Sequence, residues 1–450
     1  MVRTEPRPRR SSWLALSAVL MLSGCTRVIV VPAEGPTPRP TAPTPEVERP
    51  TPSADPSGPV PQAFSEIRGV WVVRTSLDSP EEVRETVRRA WESGFNTLLV
   101  QVRGRGDAFY RSSIEPRAER LSGQPASFDP LDLMVREAHA RGMAVHAWLV
   151  AHLVWGLGPL PTDPDHLVRL HPDWLAVPRE LATELNGVDP FRASYLSRLH
   201  QWTVDQGGRF EGLYVNPSIP AVRARLALVA EDIARRYPVD GIHLDYIRYA
   251  APEYDYSRTS LDAFRSWMSA RVPEGARSAL EGRVRGGDVF AWVNEYPRDF
   301  GDFRREQVTL AVEEVQRAVR RARSGVTLSA AVFADPIDAR NGRFQPWPEW
   351  LASGLIDVVQ PMAYTSRDDL FADLMRAARE ADPTGRRVWP GLGIYQDSFE
   401  GALRKLGMVR ESGFAGAVLF SWDWALHEAP QVRGTAWLDA FSRQAFRRGR

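Results

Sequence analysis

The sequence predicts an α/β fold, a (β/α)8 TIM barrel with long insertions after its third and fourth strands. Short apolar runs alternate with amphipathic stretches from residue 66 onward, which is typical of parallel βα units. Eight of these runs are predicted strands, and eight is the number that closes this barrel. They are Arg68–Arg74, Thr97–Arg103, Ala144–Ala151, Gly241–Tyr249, Thr327–Ala334, Asp357–Tyr364, Val388–Tyr395 and Ala415–Trp422.

The helices that should follow the strands begin with recognisable caps. Ser79, Pro80 and Glu82 combine an N-cap, a first-turn proline and a capping-box glutamate ahead of the helical pattern at 83–93. Asp129 and Pro130 repeat this arrangement before the pattern at 134–141. The connections at 155–237 and 250–324 are far longer than ordinary βα loops. Both leave from the C-terminal ends of strands, so we expect them to be functional.

The composition is that of an ordinary globular protein and argues against a nucleic-acid partner. Hydrophobic residues make up 43% and charged residues 25% of the 450 residues, and the formal net charge is +1. No block of lysines and arginines lies in the body of the chain, so no nucleic-acid binding is expected. The 15 tryptophans and 11 tyrosines can either fill a large core or stack on sugar rings.

The first 25 residues have the features of an export signal. Several arginines precede the apolar stretch 13–22, which is too short to cross a bilayer. Leu22-Ser23-Gly24-Cys25 resembles the lipobox of bacterial lipoproteins, and Cys25 is the only cysteine, so no disulfide within one chain is expected. We therefore predict a lipoprotein signal peptide at 1–25 with lipid on Cys25. The alternative is that Cys25 is a buried thiol of a transmembrane segment.

The predicted organisation continues with a tether and one domain. Residues 26–64 are rich in Pro, Thr, Ser and Glu, a composition that cannot bury a core, so we predict a disordered tether. Residues 65–450 are predicted to form the barrel domain. Acylation would anchor the mature protein, through its lipid only, to the outer face of a bacterial membrane, outside the cytoplasm. The sequence leaves the oligomeric state open.

The segment 239–249 carries the strongest indication of chemistry. A parallel strand covered on both faces should be almost wholly apolar, yet His243 and Asp245 lie two apart and share one face. In a (β/α)8 barrel the C-terminal ends of the strands hold the catalytic groups. We expect Asp245 to be the key carboxylate, with His243 and Arg248 nearby to hold it ionised. The alternative is a structural hydrogen bond between His243 and Asp245.

Five segments are distinctive in combination: Arg68-Gly69-Val70-Trp71, Phe95-Asn96-Thr97, Asn216-Pro217 with Val222-Arg223, the run from Val239 to Tyr246, and Gln360-Pro361-Met362-Ala363-Tyr364. Together they resemble the glycosyl hydrolase-like 10 family, whose lipoproteins are related to an enzyme that cleaves denuded peptidoglycan strands. The resemblance covers roughly residues 66–430. It implies a TIM barrel, glycosidase activity and a polysaccharide substrate. Tyr246 stands where similar members often carry a second aspartate.

Glycoside hydrolysis in its common form needs two carboxyl groups, one as nucleophile or base and one as acid. Asp245 is the candidate for the first, and Asp335, which ends the neighbouring fifth strand, is the predicted acid. Asp107 after the second strand and Asp423 after the eighth are the other candidates for the partner. The alternative for Asp335 is that it only caps the turn or helix that begins at Pro336.

Further polar and aromatic residues near strand ends are expected to contact the substrate. They are Arg74, Gln101, Arg103, Asp107, His146, Trp148, Asn216, His243, Arg248, Tyr249, Gln360, Tyr364, Tyr395, Trp422, Asp423 and Trp424. The chain has no His-Glu-x-x-His, no calcium-binding carboxylate loop, no cysteine cluster and no Gly-x-Gly-x-x-Gly after a strand, so no metal or cofactor is expected.

These patterns predict a secreted, lipid-anchored glycoside hydrolase that acts on a cell-envelope or extracellular polysaccharide, with peptidoglycan glycan strands as one candidate. The rival hypothesis is a glycan-binding lipoprotein that keeps the barrel and cleft but lacks catalysis. The separation of Asp245 from the nearest carboxyl group in the cleft distinguishes the two, because hydrolysis needs a pair about 5 to 10 Å apart.

The Cys25→Ser substitution tests the predicted anchor. Because the thiol is the atom that would carry the lipid, we expect the variant to move from the membrane fraction to the soluble extracytoplasmic fraction after cell fractionation. A variant that stays with the membrane as fully as the wild type would place the anchor elsewhere.

Overall fold

The barrel is closed by eight parallel strands, and the computed structural model describes residues 64–446. Going round the barrel, the order is β1, β2, β3, β6, β7, β8, β9 and β10, which confirms the predicted (β/α)8 fold. The strands are β1 Ile67–Val72, β2 Thr97–Arg103, β3 Ala144–Val150, β4 Leu153–Trp155, β5 Leu213–Tyr214, β6 Gly241–Asp245, β7 Thr327–Phe333, β8 Val358–Met362, β9 Gly391–Gly393 and β10 Gly416–Phe420.

The helices flank the barrel and fill both insertions. They are α1 Pro80–Glu92, α2 Pro130–His139, α3 Leu167–Leu170, α4 Arg179–Leu185, α5 Ala193–Asp205, α6 Pro220–Arg236, α7 Arg258–Ser269, α8 Glu274–Arg285, α9 Ala291–Glu295, α10 Pro297–Ala322, α11 Pro336–Gly342, α12 Trp347–Ala352, α13 Asp368–Ala381, α14 Phe399–Glu411, α15 Trp422–His427 and α16 Trp437–Ala445. The predicted caps are confirmed, since Ser79 accepts the Glu82 N–H and Asp129 accepts the Asp132 N–H.

Within residues 64–446, no helix is both long enough and apolar enough to cross a membrane. The predicted signal peptide, Cys25 and nearly all of the predicted tether lie outside the described residues.

Two predicted strands are at least four residues shorter in the structure, for local backbone reasons. β6 ends at Asp245 because Tyr246 adopts φ +52°, a left-handed conformation that takes the chain out of the sheet. β9 spans only three residues because Pro390, just before it, has no N–H to donate to a neighbouring strand. The structure also contains a pair that the sequence did not predict: β4 and β5 form a small antiparallel sheet inside the first insertion.

The interior of the barrel is unusually polar and aromatic for this fold, which normally packs branched apolar side chains there. The Trp71 indole N–H donates to His243 Nε2 at 3.0 Å, and His243 Nδ1 lies 3.0 Å from Ser329 Oγ. His146 packs on Trp389 at 5.7 Å between ring centroids. Gly241 leaves room for that ring, since a Cβ at Gly241 would lie 2.3 Å from His146 Nδ1. The contacts of His243 with Trp71 and Ser329 thereby connect β1, β6 and β7 through side chains.

Asp423 joins the last strand of the barrel to the first. It follows β10, and its carboxylate accepts the Val73 N–H at 2.8 Å, the Thr75 hydroxyl at 2.9 Å and the Ser76 hydroxyl at 2.7 Å. All three donors lie just beyond the end of β1. The carboxylate therefore fixes the seam at which the barrel closes.

The Asp423→Ala substitution should lower the free energy of unfolding by about 3 kcal/mol, because it leaves one backbone and two side-chain donors without their charged acceptor. Urea unfolding measures the change. The control is Asp369→Ala, which removes an exposed, solvent-screened ion pair with Arg367 and should lower the free energy of unfolding far less. Equal losses in the two variants would contradict the role of Asp423 in closure.

Candidate active site

Asp245 lies at the C-terminal end of β6, in the mouth of the barrel, and is 8% exposed. The Trp148 indole N–H donates to Oδ2 at 3.1 Å, and the Tyr246 backbone N–H donates to Oδ1 at 2.7 Å. Burial raises the pKa of Asp245 to about 6, against the opposing charge of Arg248 and these hydrogen bonds. The carboxyl group can therefore hold a proton in mildly acidic solution.

Arg248 favours the ionised form of Asp245, as expected, but the expectation that His243 does so is wrong. Burial outweighs the effect of Arg248 on Asp245. His243 is fully buried, and burial lowers its pKa well below the ordinary value, so the ring is neutral. Its two nitrogens are also engaged by Trp71 and Ser329, and not by Asp245. The alternative of a structural His243–Asp245 hydrogen bond is therefore excluded as well.

Arg248 is a buried guanidinium enclosed by aromatic rings. Its Cζ lies 4.5 Å from the ring centroid of Tyr246, 5.2 Å from that of Phe333 and 5.8 Å from that of Tyr214. Contacts of this kind attract a cation to the face of a ring. Burial disfavours the charged form, but the surrounding acidic groups hold the pKa of Arg248 above its ordinary value. A permanent positive charge thus lies beside Asp245.

Glu211, which the sequence does not predict as a site residue, is the carboxylate that pairs with Arg248. Arg248 Nη2 donates to Glu211 Oε1 at 3.4 Å, and the Tyr214 hydroxyl donates to Oε2 at 2.8 Å. Burial opposes ionisation of Glu211, but Arg248 and the Tyr214 hydroxyl more than offset it, so the pKa of Glu211 falls below its ordinary value. The guanidinium of Arg248 is therefore flanked by Asp245, whose pKa is raised, and Glu211, whose pKa is lowered.

The local backbone places Glu211 at this position. It lies in the first insertion, two residues before β5, and Gly212 follows it directly. A Cβ at Gly212 would lie 1.8 Å from the Trp155 carbonyl oxygen, so only glycine lets β5 approach β4 this closely. Glu211 is part of no recognised motif. The only signal for it in the sequence is the short apolar run that follows Gly212.

Tyr246 has a strained backbone conformation and lies against Arg248 in the site. A non-glycine residue at φ +52° is uncommon, and such residues cluster at functional sites. The turn lays the Tyr246 ring over Arg248 and brings it 6.1 Å from the ring of Tyr214. Tyr246 therefore covers the guanidinium that lies between Asp245 and Glu211.

An aromatic cluster from β8, β9 and β10 occupies another part of the mouth. Tyr364 stacks on Phe420 at 5.6 Å and 26°, and Tyr395 meets Tyr364 edge to face at 6.0 Å. All three rings keep exposed surface. Partly exposed rings in a cleft suit stacking on the apolar face of a sugar. Tyr364 is also close enough to Asp245 for the two to interact electrostatically.

Polar residues form the edge of the mouth at β1 and β2. Arg74 Nη1 donates to Gln101 Oε1 at 2.8 Å. Burial and the nearby charge of Arg105 lower the pKa of Arg74 to about 10. Asp107 accepts the Arg105 backbone N–H at 2.9 Å and keeps part of its carboxylate exposed. The contact roles of Arg74, Gln101 and Asp107 stay predictions.

Asp335 and Asp423 both accept hydrogen bonds that hold local structure. Asp335 is an exposed N-cap whose Oδ1 accepts the Ile337 N–H at 2.8 Å and the Asp338 N–H at 3.3 Å. The capping alternative for Asp335 is thus the one the structure supports, and the assignment as general acid is corrected. Asp423 uses both carboxylate oxygens to hold the end of β1, so its place in the structure is explained by barrel closure, and its contact with substrate stays a prediction.

Seven predicted contact residues are at most 3% exposed, so a ligand in the mouth cannot reach them as the protein stands. Arg103, for example, pairs with buried Glu115 at 3.0 Å, and Asn216 accepts the Ser218 N–H in a turn at 2.8 Å. The seven residues are Arg103, His146, Asn216, His243, Tyr249, Gln360 and Trp422. Trp424 packs on Trp437 at 5.8 Å and keeps a partly exposed edge, so its role stays a prediction.

Metal ligation finds no support in the part of the chain that the structure describes. Residues 64–446 contain no group of three or more His, Cys, Asp or Glu side chains placed to hold an ion.

A closed (β/α)8 barrel with coupled carboxyl groups at its C-terminal mouth defines a glycoside hydrolase-like enzyme. The sequence profile of the family described as "Glycosyl hydrolase-like 10" matches residues 66–396, so the chain belongs to that family. The predicted resemblance is thereby confirmed.

Relatives and solved structures agree with this class. Glycosyl hydrolase DigH of Escherichia coli K12 is 24% identical over 383 residues, 76% of each chain. Glycosyl hydrolase YngK of Bacillus subtilis is 23% identical over 341 residues, 68% of this chain, which spans only 55% of that longer protein. The PgaB (BpsB) glycoside hydrolase domain from Bordetella bronchiseptica superposes with a TM-score of 0.58 at 14% identity, covering 85% of this chain and 100% of that domain. The last likeness shows the shared fold.

The Asp245→Asn substitution should stabilise the protein above pH 6. The pKa of this carboxyl group is about 6 in the folded protein and ordinarily 3.8, so the protonated group stabilises the fold at low pH. This contribution to the free energy of unfolding is lost as pH rises between the two values, and the loss is complete above pH 6. The two-unit shift corresponds to at most about 3 kcal/mol. Thermal melts should show a higher Tm for the variant at pH 7.5 and the same Tm as the wild type near pH 3.5. A lower Tm at pH 7.5 would make Asp245 a structural residue.

Proposed function

We propose that this chain is a secreted, lipid-anchored glycoside hydrolase that cleaves a cell-envelope polysaccharide, with Asp245 as its key carboxyl group. The observation that carries the proposal is the environment of Asp245, a buried carboxyl group at a strand end whose pKa is about 6. Acids of this kind are poised for proton transfer near working pH. The partly exposed rings of Tyr364, Phe420 and Tyr395 offer sugar-stacking surface beside it.

Peptidoglycan glycan strands are the proposed substrate. Support comes from the family, whose related members are glycosyl hydrolases by name, and from the predicted export signal and lipobox cysteine, which would keep the barrel at the cell envelope. A protein that only bound glycan would have no use for a buried carboxyl group whose charged form is disfavoured, so catalysis is favoured over binding alone.

Incubation of the protein with peptide-free peptidoglycan strands should release new reducing ends, which a colorimetric assay or mass spectrometry of the fragments measures. Asp245→Asn should lower the rate by about 10²- to 10⁴-fold, because the amide cannot exchange a proton with the glycosidic oxygen. The exposed Asp373→Asn substitution in α13 is the matched control and should leave the rate unchanged.

Binding of the strands by the wild type without new reducing ends would contradict the proposal and support the glycan-binding alternative. Cleavage of a neutral exopolysaccharide but not of peptidoglycan strands would keep the hydrolase and replace its substrate.

A further inference from the structure

We infer that Glu211 is the second catalytic carboxyl group, acting as the base that activates water while Asp245 acts as the acid. This inference rests on the proposed glycoside hydrolase function. It changes the roles expected from the sequence, which made Asp245 the ionised group and Asp335 the acid.

The fold of the first insertion and two hydrogen bonds position Glu211. The β4–β5 sheet leaves directly from the C-terminal end of β3, so this insertion stands over the mouth of the barrel. The bond from Arg248 Nη2 to Glu211 and the bond from the Tyr214 hydroxyl fix both carboxylate oxygens. Arg248 also interacts electrostatically with Asp245, so one guanidinium lies within reach of both acids.

The environments of the two carboxyl groups differ in the direction that acid–base catalysis requires. Asp245 is 8% exposed and its neutral form is favoured, whereas the side chain of Glu211 is 32% exposed and its ionised form is favoured. Two carboxyl groups whose pKa values are shifted in opposite directions mark the acid and the base of an active site. The charge of Glu211 itself helps to keep Asp245 protonated.

The reaction balances with one molecule of water. Asp245 donates its proton to the glycosidic oxygen as the bond from that oxygen to the anomeric carbon breaks. Glu211 takes a proton from the water whose oxygen bonds to the anomeric carbon. One chain gains a hydroxyl and the other a reducing end, and the proton on Glu211 returns to Asp245 through solvent. The exposed side of Glu211 gives water access to its carboxylate.

The simpler explanation is that Glu211 only neutralises Arg248 and holds the insertion on the barrel. A structural ion pair would affect folding and the position of the alkaline limb, but it would leave the acidic limb of the pH profile in place. A base and an acid in one site instead give a bell-shaped profile. The rate should rise with pH as Glu211 ionises, below its ordinary value of 4.5, and fall above about pH 6 as Asp245 loses its proton.

The experiment measures kcat/KM against pH on peptide-free peptidoglycan strands for the wild type, Glu211→Gln and Asp245→Asn. Glu211→Gln should lower the rate by about 10²- to 10⁴-fold and abolish the acidic limb of the profile. In Glu211→Ala, added azide should restore turnover and yield a glycosyl azide, because the small anion attacks without needing a base. The control is Glu184→Gln, whose carboxylate pairs with Arg198 at 2.8 Å on the surface of the same insertion. Its profile should match that of the wild type.

An active wild type together with an active Glu211→Gln variant that keeps the acidic limb would overturn the inference and leave the proposed function standing. Low activity in Glu211→Ala that azide does not restore would also overturn it, since that result marks a structural role. A wild type that cleaves no glycan would overturn the proposed function and this inference together.

Discussion

The buried positive charge of Arg248 is the constraint on which the mouth of the barrel depends. A guanidinium removed from water must be compensated by charge, by hydrogen bonds or by aromatic faces. Glu211 supplies the charge, and Tyr246, Tyr214 and Phe333 supply the faces. The same charge keeps the pKa of Asp245 from rising as far as burial alone would drive it. One cation thus ties the end of β6 to the first insertion and sets the electrostatics of both carboxyl groups.

The polar interior of the barrel supports this site from below. The bond from Trp71 to His243 links β1 to β6, and the contact of His243 with Ser329 links β6 to β7. Trp148, on β3, carries the only indole N–H that the described residues direct at Asp245. Because these side chains are held by partners on neighbouring strands, the Asp245 carboxyl group is held by rigid elements and not by a mobile loop. Such support is what a catalytic group requires to keep its geometry.

The sequence predicts the barrel well because each strand and cap carries its own local signal, as Ser79 and Asp129 show. It makes Asp245 a candidate because an acid in a buried strand violates the apolar pattern. The sequence does not distinguish a helix cap from a general acid at Asp335, since an aspartate at a strand end before a proline is compatible with both roles. The short apolar run after Gly212 does not single out Glu211, because its contact with Arg248 comes from the fold of a long insertion. Burial depth, which removes His146 and Gln360 from the cleft, is likewise a tertiary property.

A crystal structure of the Asp245→Asn chain with a peptide-free peptidoglycan oligosaccharide tests the central claim most directly. The account predicts a glycosidic oxygen within about 3 Å of the side chain at position 245. It also predicts a water held by Glu211 on the opposite face of the sugar ring, in line with the bond that breaks. An oligosaccharide bound outside the mouth, or one whose anomeric carbon has no water or carboxylate on the side of Glu211, would contradict the account.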